Sequence, residues 1–148
     1  MSIVALDRLS SEDRLSFLLY AASREIIKHY KPFLDRLNLT YTQYLTMTLL
    51  WEAGTLTVKE IGDVLYLDSG TLTPLLKKLE AKDYLTRTRS TVDERNLNVA
   101  LTEEGLRLRE HALSIAAEMG KASPFDEEEE RSIYTVLDKV LDRQTNES

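Results

Sequence analysis

The chain has no cysteine, which excludes disulfides, thiolate metal sites and thiol nucleophiles. It has only two histidines, His29 and His111, far apart in the sequence. No Gly-rich phosphate loop, nucleophile–base pair or metal-ligand spacing appears. The expectation is therefore no enzyme, no catalytic residue, no metal and no cofactor. Five glycines and three prolines in 148 residues leave little room for a flexible linker, so one unit is expected. Long apolar runs are also missing, and none approaches the roughly 18–20 residues of a membrane span. Met1 to Arg14 mixes Asp7, Arg8, Glu12, Asp13 and Arg14 and does not read as a secretory leader. A cytoplasmic chain without a membrane partner is expected.

An excess of positive charge is lacking too, since the formal net charge is −6. Its distribution matters more than its sum. Residues 1–58 and 59–102 are each neutral, and residues 103–148 carry the whole −6. Within 69–95, Lys77, Lys78, Lys82, Arg87, Arg89 and Arg95 outnumber Glu80, Asp83, Asp93 and Glu94 by two. Fields are screened within about 8–10 Å in physiological salt, so a remote acidic segment does not prevent this one from meeting phosphate.

What is present is helical periodicity, and a hydrophobic fraction of 43% suffices for a core. Leu15, Leu18, Leu19, Ala22, Ile26, Phe33, Leu34 and Leu37 recur at steps of mostly three and four, with Pro32 set to kink or divide that helix. Thr40-Tyr41-Thr42-Gln43 and Thr57-Val58-Lys59-Glu60 read as capping boxes, and Gly54 as a helix stop. Asp68 offers a third N-cap, before Leu72, Leu75, Leu76 and Leu79 on one stripe. Three short helices in close succession form a helix-turn-helix pattern. Residues 85–89 and 96–101 then alternate in twos around the polar tip 90–95, which reads as a hairpin wing. Two further helices follow, one after Thr102 with Leu106, Leu108, Leu113, Ile115 and Ala116 to bury, and one from about Asp126. The predicted fold is mainly α with a small β wing.

The helix after Asp68 turns its leucines one way. Ser69, Gly70, Thr71, Thr73, Pro74, Lys77 and Lys78 lie on or near the other side. Small hydroxylated residues followed by lysines suit a major groove, where hydroxyls and free N–H groups meet phosphates and base edges. An ordinary solvated helix face is the plainer account of the same residues. In the wing, Arg95 is the candidate for a minor-groove or phosphate contact, with Asp93 placed to orient it. Arg87 and Arg89 share a strand face and could add phosphate contacts, or merely keep an edge strand soluble.

Asp93-Glu94-Arg95 followed by Leu101-Thr102-Glu103-Glu104-Gly105 resembles the wing of the MarR family of bacterial regulators. The stretches Phe17–Glu25, Tyr30-Lys31-Pro32, Leu39–Tyr44 and Leu65–Lys78 resemble its organic-hydroperoxide-sensing branch, the OhrR-like repressors and their staphylococcal relatives. The resemblance implies a winged-helix DNA-binding part over about 40–102 and dimerisation helices over about 10–37 and 103–145. It implies a homodimer on a pseudo-palindromic duplex, and an organic hydroperoxide as inducer through oxidation of one cysteine. Ser16 stands where that branch carries the cysteine, and Tyr20, Tyr30 and Tyr41 match tyrosines that hydrogen-bond to it. Ser123 is the counterpart of a second cysteine found in some members. A serine hydroxyl cannot follow the sulfenic-acid and disulfide route. Deliberate replacement and natural loss of the sensor both account for Ser16. Control by a small apolar or phenolic ligand, or a role as a protein-interaction module, are the competing expectations.

Overall fold

Side-chain caps set the helix boundaries. In the computed structural model, which describes residues 3–91, 96–121 and 123–146, seven α-helices and three strands are seen. Helix α1 (Ser11–His29) begins at Ser10, whose hydroxyl accepts the Asp13 N–H. It stops one residue before α2 (Lys31–Leu37), where Pro32 sits in the first turn, so the proline divides the predicted helix rather than kinking it. Helix α3 (Tyr41–Ala53) carries the Thr40–Gln43 capping box and closes on Gly54 at φ +78°. Helix α4 (Val58–Leu65) carries the Thr57–Glu60 box, and α5 (Ser69–Ala81) is capped by Asp68, whose carboxylate accepts the Thr71 N–H at 2.8 Å.

The wing is part of a three-stranded antiparallel sheet. β2 (Leu85–Arg89) and β3 (Leu97–Leu101) pair as predicted, and β1 (Thr55–Thr57), which the sequence reading did not foresee, adds to the other side of β3. Val99, fully buried, anchors the middle strand to the core. Helix α6 (Glu103–Met119) starts at Thr102, and α7 (Glu127–Asn146) follows a third capping box in which Asp126 and Glu129 satisfy each other's N–H groups.

The core is built on the middle of the chain. Met47, Leu50, Ile61, Leu72, Leu76, Leu79, Leu85 and Val99 are essentially inaccessible, with Leu108 and Ile115 closing it from α6. The outer helices behave differently. Helix α1 has no buried residue, and Leu15, Phe17, Leu18 and Leu19 are exposed. Leu106, Leu113 and Ala116, expected to be buried, face outward. Tyr134, Val136, Val140 and Leu141 of α7 are exposed too. Their periodicity is real, but among the described residues these side chains stay uncovered in the single chain.

The joint between the two parts is tight. Thr102 donates its hydroxyl to the Asp83 carbonyl and its N–H to that of Tyr84. Trp51 Nε1 donates to the Gly105 carbonyl at 2.9 Å, and the Tyr84 carbonyl lies directly over the Gly105 Cα. Helix α6 is thus rooted in the winged-helix part.

Candidate nucleic-acid interface

Helix α5 has the two-sided character its spacing predicts. Leu72, Leu75, Leu76 and Leu79 are buried, whereas Asp68, Ser69, Gly70, Thr71, Pro74, Lys77 and Lys78 are exposed and Thr73 is half-buried. The Ser69 and Gly70 N–H groups point out of the first turn without intrahelical acceptors. Pro74 has no N–H, so the Gly70 carbonyl also lacks its helical donor. The face therefore offers backbone donors, one backbone acceptor, hydroxyls and two ammonium groups along one side of the helix. The approach of α4 to α5 depends on Gly62. A Cβ there would lie 2.8 Å from the Leu67 carbonyl oxygen, which crosses it in the turn.

Arg87 does not join that surface. Its guanidinium is held by Glu80 of α5 at 3.1 Å, its N–H donates to the same carboxylate, and its side chain is only 18% exposed. Leu85, Arg87 and Arg89 share the strand face that turns toward α5. Leu85 lies in the core, and Arg87, next along that face, braces helix to wing through Glu80. Arg89 is exposed farther out. Asp93 and Arg95 lie outside the described residues.

The hydrogen bond from Arg87 holds the Glu80 carboxyl below its ordinary value of 4.5. A carboxyl depressed by folding stabilises the fold fully above its unfolded value, and that contribution is lost as pH falls through the folded one. Glu80→Gln is therefore expected to melt below the parent at pH 7. The gap should narrow as pH falls below about 4.5, in thermal melts read by circular dichroism. A gap independent of pH would show that the brace does not titrate.

The proposed sensor residues are only partly assembled. Tyr30 and Tyr41 meet edge to face with centroids 5.3 Å apart, and Tyr44 joins them at 6.4 Å from Tyr30. Burial, then its two tyrosine neighbours, raises the Tyr41 phenol above its ordinary value. Ser16 is exposed and donates to the Asp13 carbonyl at 3.1 Å. Tyr20, one turn on, is exposed beneath the Arg24 guanidinium. Tyr30, the C-cap of α1, lies fourteen positions beyond Ser16, about 21 Å along the axis. Those two do not meet within one chain. Ser123 sits in the α6–α7 connection, where its hydroxyl accepts the Phe125 N–H and bonds to Glu130. Lys121 clasps the same Glu130 at 2.7 Å. Beside the tyrosines, a cleft of about 240 Å³ opens between the α1–α2 junction and the end of α6, lined by His29, Tyr30, Phe33, Tyr44 and Met119.

Residues 28–111 match the family model of the SarA/Rot transcriptional regulators. Over 138 residues the chain is 51% identical to the organic hydroperoxide resistance transcriptional regulator of Bacillus subtilis (strain 168), covering 90% of this chain and 94% of that protein. The chain belongs to the MarR family, in its organic-hydroperoxide-resistance branch. Within that family it is also 43% identical over 124 residues to the regulator SarZ of Staphylococcus aureus (strain USA300), covering 84% of each chain. Among solved MarR-type structures, reduced AbfR bound to DNA superposes with a TM-score of 0.78 at 30% identity, over 90% of this chain and 94% of that one. These relatives are transcriptional regulators and not enzymes. Among the described residues no helix is long and apolar enough to cross a membrane.

Proposed function

We propose that the chain is a homodimeric repressor that binds duplex DNA through α5 and the wing, controls an organic-hydroperoxide response, and carries Ser16 in place of the oxidisable cysteine. The observation that carries this is the open polar side of α5, whose other side is fully committed to the core. Ser69, Gly70, Thr71 and Thr73 enter the major groove, with Asp68 and Pro74 shaping the helix around them. Lys77, Lys78 and Arg89 meet phosphates. Residues 40–102 form the DNA-binding part, and about 10–37 and 103–145 form the dimer.

Exposed apolar surface supports the dimer. The single chain presents 10902 Å² of accessible surface, against about 7,700 Å² for a compact globule of 17.0 kDa. Most of the exposed large apolar side chains lie on α1, α6 and α7, so a two-fold pair buries those faces and presents two α5 helices about 34 Å apart, one turn of duplex. Pairing also completes the sensor group. Because Ser16 lies in the second turn of α1 and Tyr30 just past its last residue, Tyr30 and Tyr41 of a second copy close around Ser16 and Tyr20.

A footprint on the DNA upstream of the protein's own gene, with sedimentation of the free protein, tests the reading. Two protected segments about one helical turn apart and a dimer in solution are expected. A monomer, or binding without salt dependence, would refute it. Arg95→Ala, with Asp93 no longer having a guanidinium to orient, is expected to weaken operator binding by about 1–3 kcal/mol in fixed salt with little change in melting temperature. The aromatic cleft favours a second reading, control by a small apolar or phenolic ligand. A compound that shifts the operator-binding midpoint of this Ser16 chain would establish it.

A further inference from the structure

Tyr66 closes α4 in the turn before α5, with a left-handed backbone at φ +55°, ψ +39°. That conformation is at home in glycine or asparagine and strains a residue bearing a large Cβ substituent. The turn explains why the backbone is there. The N–H groups of Tyr66 and Leu67 both fold back onto the Gly62 carbonyl, which starts α5 at its required angle. It does not explain why the residue is tyrosine. The half-buried rings of Tyr30, Tyr41, Tyr44, Trp51 and Tyr84 all pack against the core, and the exposed Tyr66 does not. Its ring is 52% exposed, and among the described residues its hydroxyl has no hydrogen-bond partner.

The position supplies a reason. Tyr66 lies two residues before the Asp68 cap and next to the exposed run Ser69-Gly70-Thr71. A helix lying in a groove brings the turn at its start close to the flanking sugar–phosphate chain. Tyrosine hydroxyls are among the groups that hold a protein in register on phosphate oxygens. We propose that Tyr66 is a DNA-backbone contact, its phenol donating to a phosphate at the edge of the groove that receives α5 and its ring resting on the adjoining sugar. This rests on the DNA-binding reading above and extends the interface beyond the recognition helix and the wing. Strained backbone gathers at binding and switch positions, and here it lies at an exposed residue outside the core.

The experiment compares the unsubstituted chain with Tyr66→Phe and Tyr66→Asn on operator and on unrelated duplex, in one salt, alongside thermal melts. Tyr66→Phe keeps the ring and is expected to weaken both duplexes by about the same 3- to 10-fold, the worth of one hydrogen bond to a group that carries no sequence information. Tyr66→Asn relieves the backbone and is expected to melt no lower than the parent while binding at least as weakly as Tyr66→Phe. Parent affinity in either variant overturns the proposal, as does a lowered melting temperature in Tyr66→Asn, which would make the ring a packing group. If the unsubstituted chain binds no duplex, the DNA-binding reading itself falls. If it binds and the variants bind equally well, only the role of Tyr66 falls.

Discussion

A Ser16→Cys variant is expected to leave its operator when treated with an organic hydroperoxide, while the unsubstituted chain, given the same dose, stays bound. The difference is one atom. A cysteine thiolate attacks the outer peroxide oxygen, forming a sulfenic acid as the O–O bond breaks and the alcohol departs. A serine oxygen has no such oxidation state to enter. The expected loss of affinity is about 5- to 150-fold, the usual range of coupling between two sites. Gel shifts in fixed salt measure it, and a thiol reductant should restore binding if a sulfenic acid or disulfide is the product. The location makes the coupling mechanical. Ser16 lies on α1, whose apolar side is free in the single chain, and about 21 Å from the Tyr30–Tyr41 pair of that chain. In the pair proposed above, oxygen added where the tyrosines of the second copy close over α1 would shift one subunit against the other, and with it the spacing of the two α5 helices. Operator binding that persists after mass spectrometry has shown the introduced sulfur to be oxidised would remove the redox assignment.

Gly105→Ala is expected to be the most destabilising single-methyl change among the described glycines. A Cβ at this position would lie 2.2 Å from the Tyr84 carbonyl oxygen and 3.0 Å from Leu101 Cδ2. The oxygen belongs to backbone that also accepts the Thr102 N–H, so it cannot withdraw without breaking the start of α6. The Trp51 indole, fixed on the Gly105 carbonyl, must move as well. Destabilisation of about 3–5 kcal/mol follows, at the upper end of single substitutions and arising here from overpacking against backbone. Trp51 is the only tryptophan, so its fluorescence reports the joint directly. A variant melting within about a degree of the parent would show that α6 is not rooted as described. Operator binding should fall along with stability, because α6 links the winged part to the helices that pair.

Local chemistry was the legible part of the fold. The boxes at Thr40 and Thr57, the Asp68 and Thr102 caps, the Gly54 stop and the division at Pro32 each follow from groups within four residues of one another. The inward leucines of α5 and the β2–β3 ribbon were legible from period alone. β1 was not, because three residues after a glycine carry no alternation and Thr57 already served as a cap. The brace of Arg87 on Glu80 was not legible, because Glu80 lies on the preceding helix and a strand pattern gives the face of a residue without the group it meets. The periodicity of α1 and α7 was read correctly as amphipathic, but it could not tell burial in the same chain from burial in another. The sensor group was legible only through resemblance, and one chain does not assemble it. Tyr66 escaped notice because a left-handed turn residue has no sequence signal unless it is glycine or asparagine.

The bare apolar sides of α1 and α7 also tie the protein's durability to its abundance. Mass action links folding to pairing, so dilution weakens every subunit at once. Scarcity then depletes the competent form faster than in proportion to copy number. A regulator of this kind disengages sharply as its own supply dwindles, before any signal reaches it.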